Sequence, residues 1–296
     1  MDREAISSYP VLFFGSFLDY IELTKPRVAL LAVATTLLGF FVGSDRPLET
    51  TLLVKALFGA LLVGGGASAL NQYIEREIDA KMKRTENRPI PSGRLRAKNV
   101  LIFGSLLSAA GILELALFVN LLTAFLGGVT LFSYVACYTP LKQQTPLCTF
   151  VGAVAGALPP VMGWTAANAQ IDEKAWALFA ILFVWQLPHF FAIAWVYRED
   201  YEKSGLRLLF LQDKEGKQAS RQVVLYCLLL LPVSLMPFLF GLSGRVYSFA
   251  ASAAGIGLFS FALCMLKNRP VYAKKFVSAS IYYLLVIIIF MMADKA

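Results

Sequence analysis

The chain has 296 residues, of which 58% are hydrophobic and only 16% are charged, and its mean hydropathy is +0.65. A soluble globular domain of this length has a far more polar composition, so these values exclude a soluble enzyme and predict a membrane protein. The net charge of +8 needs no nucleic acid to explain it, and none is expected as a partner, because most basic residues fall in loops on one side of the membrane.

Apolar segments of membrane-spanning length recur along the whole chain and predict nine transmembrane helices. They lie at about 27–45, 51–73, 98–119, 120–138, 147–167, 174–196, 221–242, 246–266 and 276–293. Most connections are short, which predicts an all-α bundle that forms a single membrane-embedded domain over residues 1–296. The boundary between the third and fourth spans, near Val119-Asn120, is the least distinct in the sequence.

The two long polar loops, 74–97 and 197–220, are separated by four spans. This spacing indicates a duplicated four-helix unit, roughly 27–138 and 147–266, with a ninth helix outside the repeat. Such a duplication predicts two polar helix ends that face each other across a central cavity open to the cytoplasmic side.

The distribution of basic residues predicts the orientation of the bundle. The N-terminus and the loops after the even-numbered spans hold 22 of the 27 Lys and Arg residues, so this side is expected to be cytoplasmic. The first residues, Met1-Asp2-Arg3-Glu4, form neither a signal peptide nor an Arg-rich, acid-poor transit peptide. The sequence therefore predicts a multi-pass protein of a bacterial inner membrane with a cytoplasmic N-terminus.

A polar cluster follows directly on the second apolar span, where polar side chains are costly unless they face water, a metal or a ligand. Asn71, Glu75 and Asp79 are spaced i, i+4 and i+8, which places three oxygen ligands on one helical face over a rise of about 12 Å. Such a face suits Mg²⁺, which takes carboxylate and amide oxygens and often keeps phosphate as a further ligand. Basic residues that can reach the same phosphates come next: Arg84, Arg88 and Arg94. The spacing alone leaves open an ordinary solvated loop with scattered charges.

Two further polar groups lie on the same predicted side of the membrane. The short loop 138–146 carries one charge, Lys142, which either binds a ligand or anchors the loop at the membrane surface. His189 is the only histidine in the chain. It is either a buried, hydrogen-bonded residue, or a functional one that makes a single contact to a metal or haem iron or relays a proton. One histidine alone cannot build a zinc site. Tyr197 and Tyr201 either line a site or sit at the membrane interface.

Proline occurs inside two of the predicted spans. Pro188 is expected to kink the sixth span or to break a backbone hydrogen bond in it. Pro159-Pro160 follows a run of small residues in the fifth span and predicts a broken helix. In membranes such breaks lie next to cavities or packed protein.

Together these motifs resemble the UbiA superfamily of intramembrane prenyltransferases. The resemblance to the superfamily rests on Asn71-x3-Glu75-x3-Asp79, Lys83-Arg84-Thr85 and Asn87-Arg88-Pro89-Ile90-Pro91-Ser92-Gly93. Within it, the chain is similar to the protohaem IX farnesyltransferases, or haem O synthases. This narrower resemblance covers roughly residues 20–290 and rests on Tyr138-Thr139-Pro140-Leu141-Lys142, Gly156-Ala157-Leu158-Pro159-Pro160 with Gly163-Trp164, Trp185-Gln186-Leu187-Pro188-His189-Phe190, and Asp200-Tyr201 before Gly205.

The resemblance implies an enzyme that transfers the farnesyl group of farnesyl diphosphate to a vinyl group of haem B and so makes haem O, with Mg²⁺ as cofactor. It implies that Asn71, Glu75 and Asp79 form the metal and diphosphate face and are catalytic together with Asp200. The implied substrate-binding residues are Arg84, Arg88, Arg94, Lys142, His189 as the haem contact, Tyr197, Arg198 and Tyr201. The implied partners are farnesyl diphosphate, haem B and the lipid bilayer, and a haem A synthase or a terminal oxidase assembly is the protein partner to consider.

The sequence departs from the family pattern at three places. Glu75 stands where the family usually has Asp, which adds a methylene and changes the distance to a metal. Gln143 replaces a usual basic residue, and 206–210 replaces a Pro-Met-Leu-Pro-like segment. Two alternatives stay open: a UbiA-type prenyltransferase acting on an aromatic quinone precursor, which the His189 motif disfavours, and a non-catalytic haem or lipid carrier, which has no need of the metal face.

Overall fold

The computed structural model describes residues 16–44, 48–207, 213, 215–267 and 269–296. This part of the chain contains helices and no β-strand, which confirms the all-α prediction. The helices are α1 (Phe17–Leu23), α2 (Pro26–Gly43), α3 (Thr50–Asp79), α4 (Ala97–Phe118), α5 (Leu121–Phe132), a π-helical turn (Ser133–Tyr138), α6 (Thr139–Leu141), α7 (Cys148–Asn168), α8 (Glu173–Val196), α9 (Arg198–Ser204), α10 (Lys217–Ser234), α11 (Met236–Leu239), α12 (Arg245–Lys267) and α13 (Arg269–Ala293).

Within the described residues, nine helical segments are long and apolar enough to cross a membrane, which matches the nine predicted spans. Most boundaries agree within a few residues. The largest differences are at the start of α13, which is Arg269 rather than a residue near 276, and at the end of α3, which runs to Asp79 rather than ending near residue 73. Asn71, Glu75 and Asp79 at its end are buried in the bundle and keep a helical backbone, so the whole Asn71–Asp79 motif lies on one continuous helix.

The predicted break between the third and fourth spans is present at Val119 and Asn120. Asn120 has an extended backbone, and its side chain accepts a hydrogen bond from the Thr123 backbone N–H at 2.8 Å. This is the geometry of an N-cap, which satisfies a free donor at the start of α5. The Asn120 amide also donates to the Thr165 carbonyl at 2.8 Å and so ties the turn to α7.

The expectation that the double proline breaks the fifth span was wrong. Helix α7 continues through Pro159 and Pro160, which are both buried. Helix α2 packs very closely here: a Cβ atom on Gly39 would lie 1.9 Å from the Pro160 carbonyl oxygen, and one on Gly163 would lie 1.9 Å from the Thr36 carbonyl oxygen. Close packing of this kind supports proline inside a membrane helix, because neighbouring helices hold the backbone in place. Pro188 likewise lies inside the continuous helix α8.

The helices pack in an order that brings three polar helix ends together. Helix α2 packs on α3 and α7, α3 packs on α4, and α7 packs on α8. Helix α13 packs on α12, α8 and α2, so the ninth span joins both parts of the proposed repeat. The duplication itself and the cytoplasmic opening of a central cavity stay predictions.

Candidate active site

The polar face of α3 is buried and each of its three residues has a basic partner. Asn71, Glu75 and Asp79 are 1%, 6% and 0% exposed. The contacts are Lys25 Nζ to Asn71 Oδ1 at 2.8 Å, Lys142 Nζ to Glu75 Oε1 at 2.8 Å, and Arg88 Nη1 to Asp79 Oδ2 at 2.6 Å. The three cations come from three different segments of the chain, so the face of α3 is the point at which these segments meet.

The π-helical turn before α6 holds one end of this face. Thr139 donates its hydroxyl proton to the Tyr134 carbonyl at 2.7 Å and accepts a hydrogen bond from the Asn71 amide at 3.1 Å. The Tyr138 ring lies 4.4 Å from Lys142 Nζ, a cation–π distance. Short π-helical segments are frequent at functional sites, and this one places two tyrosines and a lysine beside the carboxylates.

Lys25 is a site residue that the sequence reasoning missed, because it was counted only among the basic residues of the cytoplasmic side. It lies just before Pro26, the first residue of α2, and adopts a left-handed backbone conformation (φ 49°) that directs it at Asn71. Burial and the nearby charge of Arg88 lower the pKa of Lys25 to about 7, although Glu75 opposes the shift. The signal in the sequence that could have pointed to Lys25 is its position directly before Pro26 at the start of the first span.

The pKa of Lys142 is shifted in the opposite direction from that of Lys25. Burial lowers its pKa, but Tyr138 and Glu75 outweigh burial and hold the pKa of Lys142 above its ordinary value. Lys142 is therefore a permanent positive charge beside Glu75. Its side chain is 15% exposed and that of Glu75 is 8% exposed, so water screens this pair only weakly.

The loop after α8 forms a second wall. Arg84 donates to the Tyr201 hydroxyl at 3.0 Å, and its guanidinium carbon lies 4.9 Å from the Tyr197 ring centroid and 5.1 Å from that of Tyr201. Tyr201 and Leu206 pack against Ile78 and Met82, just past the end of α3. The structure therefore places the two long polar loops in contact. The backbone of Arg207 also donates to the Lys142 carbonyl at 2.7 Å, which joins the third loop to the other two.

Three of the predicted site residues are placed differently. Arg94 forms ion pairs with Asp19 and with Glu22, the latter at 2.8 Å, so it fastens α1 to the loop after α3. The Arg198 guanidinium lies 4.4 Å from the Trp195 ring. Asp200 is half-buried on α9, and its side chain makes no hydrogen bond or ion pair to another described residue. Residues 208–210, where the sequence departs from the family pattern, lie outside the described residues.

His189 lies deeper in the bundle, on α8. Its Nδ1 is 2.7 Å from the Ser280 hydroxyl of α13, and its ring stacks on Trp185 with the centroids 5.0 Å apart and the planes 19° from parallel. The Trp185 indole donates to the Ser280 carbonyl at 2.7 Å. A histidine held in this way is both hydrogen-bonded and available at its second nitrogen, so the two interpretations that the sequence left open are compatible.

The α3 face has the donor chemistry that Mg²⁺ requires. Asp79 Oδ1 is buried and has no hydrogen-bond partner among the described residues, although Oδ2 is paired with Arg88. A buried oxygen without a partner is costly, and a hard cation is a partner that removes this cost. No group of three or more His, Cys, Asp or Glu side chains in the described part of the chain could hold a metal ion. An ion at this face would take Asp79 Oδ1, the buried oxygen without a partner, and complete its shell with ligand or water oxygens, as Mg²⁺ does. Asn71 and Asp79 are about 12 Å apart along the helix, so a single ion does not bind all three residues of the face.

Comparison with known proteins defines the family. The UbiA prenyltransferase family model matches residues 32–290, and the chain belongs to this family. It is 44% identical over 287 residues to a protein of Solibacter usitatus named protoheme IX farnesyltransferase, an alignment that covers 94% of this chain and 98% of that protein.

Solved structures share the fold at low sequence identity. A structure described for digeranylgeranylglyceryl phosphate synthase matches with a TM-score of 0.78 at 16% identity and covers 94% of this chain and 97% of its own. A UbiA homologue from Archaeoglobus fulgidus bound to GPP and Mg²⁺ matches with a TM-score of 0.66 at 14% identity and covers 92% and 99%. The chain is therefore a multi-pass membrane protein with the UbiA fold.

Proposed function

We propose that this chain is a prenyltransferase that transfers the farnesyl group of farnesyl diphosphate to the vinyl group of protohaem IX, or haem B, and makes haem O. The observation that carries the proposal is the buried face of α3, where two carboxylates and an amide lie against three cations. A carrier has no use for such a face. The relative that is 44% identical is named for this activity, and the identity extends over nearly the whole chain.

The diphosphate is the group that this face suits. Mg²⁺ held along the face of Asn71, Glu75 and Asp79 would neutralise charge on the diphosphate and make it a better leaving group. The homologue bound to GPP and Mg²⁺ has the same fold, which supports Mg²⁺ as the cofactor here. Arg88 and Lys142 supply further positive charge as the leaving group develops its negative charge, and we assign them to the diphosphate oxygens.

The reaction breaks the C1–O bond of farnesyl diphosphate, the π-bond of the vinyl group and one O–H bond of water, and it forms a carbon–carbon bond and a carbon–oxygen bond. The bond between C1 of the farnesyl group and oxygen breaks, and the diphosphate leaves with the electron pair. The vinyl π-electrons of haem B attack the allylic cation at C1 and form the new carbon–carbon bond. Water then adds to the carbon next to the porphyrin and loses a proton, which gives the hydroxyethylfarnesyl side chain. The apolar membrane interior keeps bulk water from the allylic cation before the vinyl group attacks.

The segment after α8, which forms the second wall of the site, supplies the remaining residues that we assign to the substrates. Tyr197, Tyr201 and Arg198 are substrate-binding residues of the α9 segment, and Asp200 is a catalytic residue on the same segment. Arg84 connects this segment to the α3 loop through its contacts with the two tyrosines. Since Arg84 is already held by these rings, its charge is fixed at the entrance to the diphosphate site. His189 is assigned to the haem acceptor.

The setting of the enzyme follows from its charge pattern. We assign it to the inner membrane of a bacterium with its N-terminus and its active-site loops on the cytoplasmic side, because 22 of the 27 basic residues lie on that side. Farnesyl diphosphate is charged and reaches the site from the cytoplasm, while its isoprenoid tail and haem B enter the apolar interior of the bundle. Docking of a haem A synthase or a terminal oxidase assembly stays a prediction.

The experiment is a chromatographic analysis of haems after the purified, detergent-solubilised protein is incubated with haem B, farnesyl diphosphate and Mg²⁺. A second reaction contains EDTA, and a third contains 4-hydroxybenzoate in place of haem B. We expect a haem O peak that depends on Mg²⁺. A prenylated aromatic product without haem O would transfer the chain to the quinone branch. Protein that binds haem but makes neither product would support the carrier instead.

A further inference from the structure

The hydrogen bonds around Ser280 determine which nitrogen of His189 carries a proton. Ser280 is fully buried on α13, and its hydroxyl lies 2.7 Å from the Val277 carbonyl and 2.7 Å from His189 Nδ1. A carbonyl oxygen can only accept, so the single hydroxyl proton of Ser280 goes to Val277. The hydroxyl oxygen is then an acceptor towards the histidine, and Nδ1 must be the nitrogen that donates.

This arrangement leaves His189 Nε2 as an unprotonated nitrogen with a free lone pair. Nε2 makes no hydrogen bond to any of the described residues. The ring is also prevented from turning, because Trp185 stacks on it and donates its own indole proton to the Ser280 carbonyl. A histidine that ligates a metal characteristically donates its other ring N–H to a nearby acceptor, which fixes the tautomer and the ring orientation. His189 has this geometry, with Nδ1 held by Ser280 and the ring stacked on Trp185.

His189 is held by a different part of the bundle from the polar face of α3. Both α3 and α8 end at the polar loops, since Ile78 at the end of α3 packs against Tyr201 just past α8. His189 precedes the last residue of α8, Val196, by about 10 Å of helix rise. His189 therefore lies within the apolar part of the bundle, at about the level of Asn71. It is held there by Ser280 of α13, whereas the face of α3 is held by Lys25, Lys142 and Arg88.

We propose that Ser280 is a positioning residue that holds His189 in the tautomer whose Nε2 binds the iron of the haem acceptor as an axial ligand. The inference rests on the proposed function, because it takes haem B as the acceptor substrate. It gives the ninth membrane span a specific role: α13 supplies the group that orients the acceptor-binding residue. Ser280 touches neither substrate and acts only through His189.

The test is a titration of the purified full-length protein with haem B, followed by the Soret absorption band and by electron paramagnetic resonance of the ferric state. The variants are Ser280→Ala, Ser280→Thr, His189→Ala and, as a matched control, Ser278→Ala, which removes an exposed hydroxyl from the same helix. The KM for farnesyl diphosphate and the rate of haem O formation are measured with the same preparations.

We expect Ser280→Ala to weaken haem binding about 10- to 100-fold, the usual loss when a partner of a metal-bound histidine is removed. Ser278→Ala should leave the affinity unchanged, and Ser280→Thr, which keeps the hydroxyl, should bind haem more tightly than Ser280→Ala. The axial-histidine spectrum should disappear in His189→Ala and return with added imidazole. The KM for farnesyl diphosphate should not change in Ser280→Ala, because a positioning role affects only the acceptor.

Separate outcomes contradict the two proposals. If the unaltered protein makes haem O and Ser280→Ala keeps its haem affinity and spectrum, the role of Ser280 is overturned and the proposed function stands. Equal losses of haem and farnesyl diphosphate binding in Ser280→Ala would also overturn it, because they indicate a general disturbance of the fold. If the unaltered protein neither binds haem B nor makes haem O, both proposals fail.

Discussion

Asp79→Asn separates a catalytic carboxylate from a structural one. In the structure Asp79 Oδ2 is paired with Arg88 at 2.6 Å and Oδ1 is buried without a partner, so one oxygen is available to an ion. Asparagine keeps the shape and one acceptor oxygen but removes the negative charge. Loss of one group that stabilises charge in a transition state costs about 2.7–4 kcal/mol, so we expect kcat to fall about 100- to 1,000-fold. The Mg²⁺ concentration needed for half-maximal activity should rise at the same time.

The same substitution should affect folding much less. Breaking a fully buried ion pair costs about 3–5 kcal/mol, but the Arg88 side chain is 25% exposed and can be solvated in the variant. We therefore expect a smaller loss, measured as the midpoint of thermal unfolding in detergent. Asp19→Asn is the matched control, because Asp19 is also a buried aspartate paired with an arginine, Arg94, outside the metal face.

The assay measures haem O formation across a Mg²⁺ titration for both variants and for the unaltered protein. Asp19→Asn should keep the kcat and the Mg²⁺ dependence of the unaltered protein. The reasoning is refuted if Asp79→Asn keeps them as well, since Asp79 would then be only the structural partner of Arg88. It is also refuted if the two variants lose activity equally, because the loss would then follow from the removal of any buried charge.

Three other substitutions test separate parts of the structure. Lys25→Met should raise the KM for farnesyl diphosphate about 10- to 100-fold, which is the value of one charged hydrogen bond. Lys25→Arg keeps the charge and should retain most of the binding. An equal effect of both substitutions would contradict a charge contact. Arg94→Met should lower the unfolding midpoint and leave that KM unchanged, whereas a raised KM would return Arg94 to the substrate site. Gly163→Ala should destabilise the bundle by about 1–3 kcal/mol, because its Cβ would lie 1.9 Å from a backbone oxygen. Gly128→Ala, with no atom within 4 Å of its Cβ, is the control for thermal unfolding, and equal midpoints would contradict the close helix crossing.

The sequence predicted most of the fold because long apolar segments and their separations are direct physical requirements of a bilayer. The sequence also predicted that Asn71, Glu75 and Asp79 lie on one face of α3, because the helical period alone determines that geometry. Pairings between segments were less accessible. The contact of Lys142 with Glu75 spans 67 positions of the chain, and no local pattern reports which cation meets which carboxylate.

Two basic residues show why the sequence could not assign every contact of the site. Lys25 and Arg94 are both basic residues on the side expected to be cytoplasmic, and composition cannot distinguish a ligand contact from an anchor. Lys25 reaches Asn71 only because its backbone adopts a left-handed conformation, whereas Arg94 is drawn away by Asp19 and Glu22. The double proline was misjudged because local backbone preference was weighed without the packing of α2 against α7.

The pairing of each acidic residue with an internal cation has a consequence for how substrate enters. Glu75 and Asp79 neutralise Lys142 and Arg88 within the chain, and Lys25 has the neutral amide of Asn71 as its partner. A magnesium diphosphate complex carries the same two kinds of charge in the opposite roles, with the metal replacing the cations and the phosphates replacing the carboxylates. Binding is then an exchange of ionic partners at nearly constant net charge. Release of diphosphate restores the original pairs, so the site returns to its resting state by itself after each turnover.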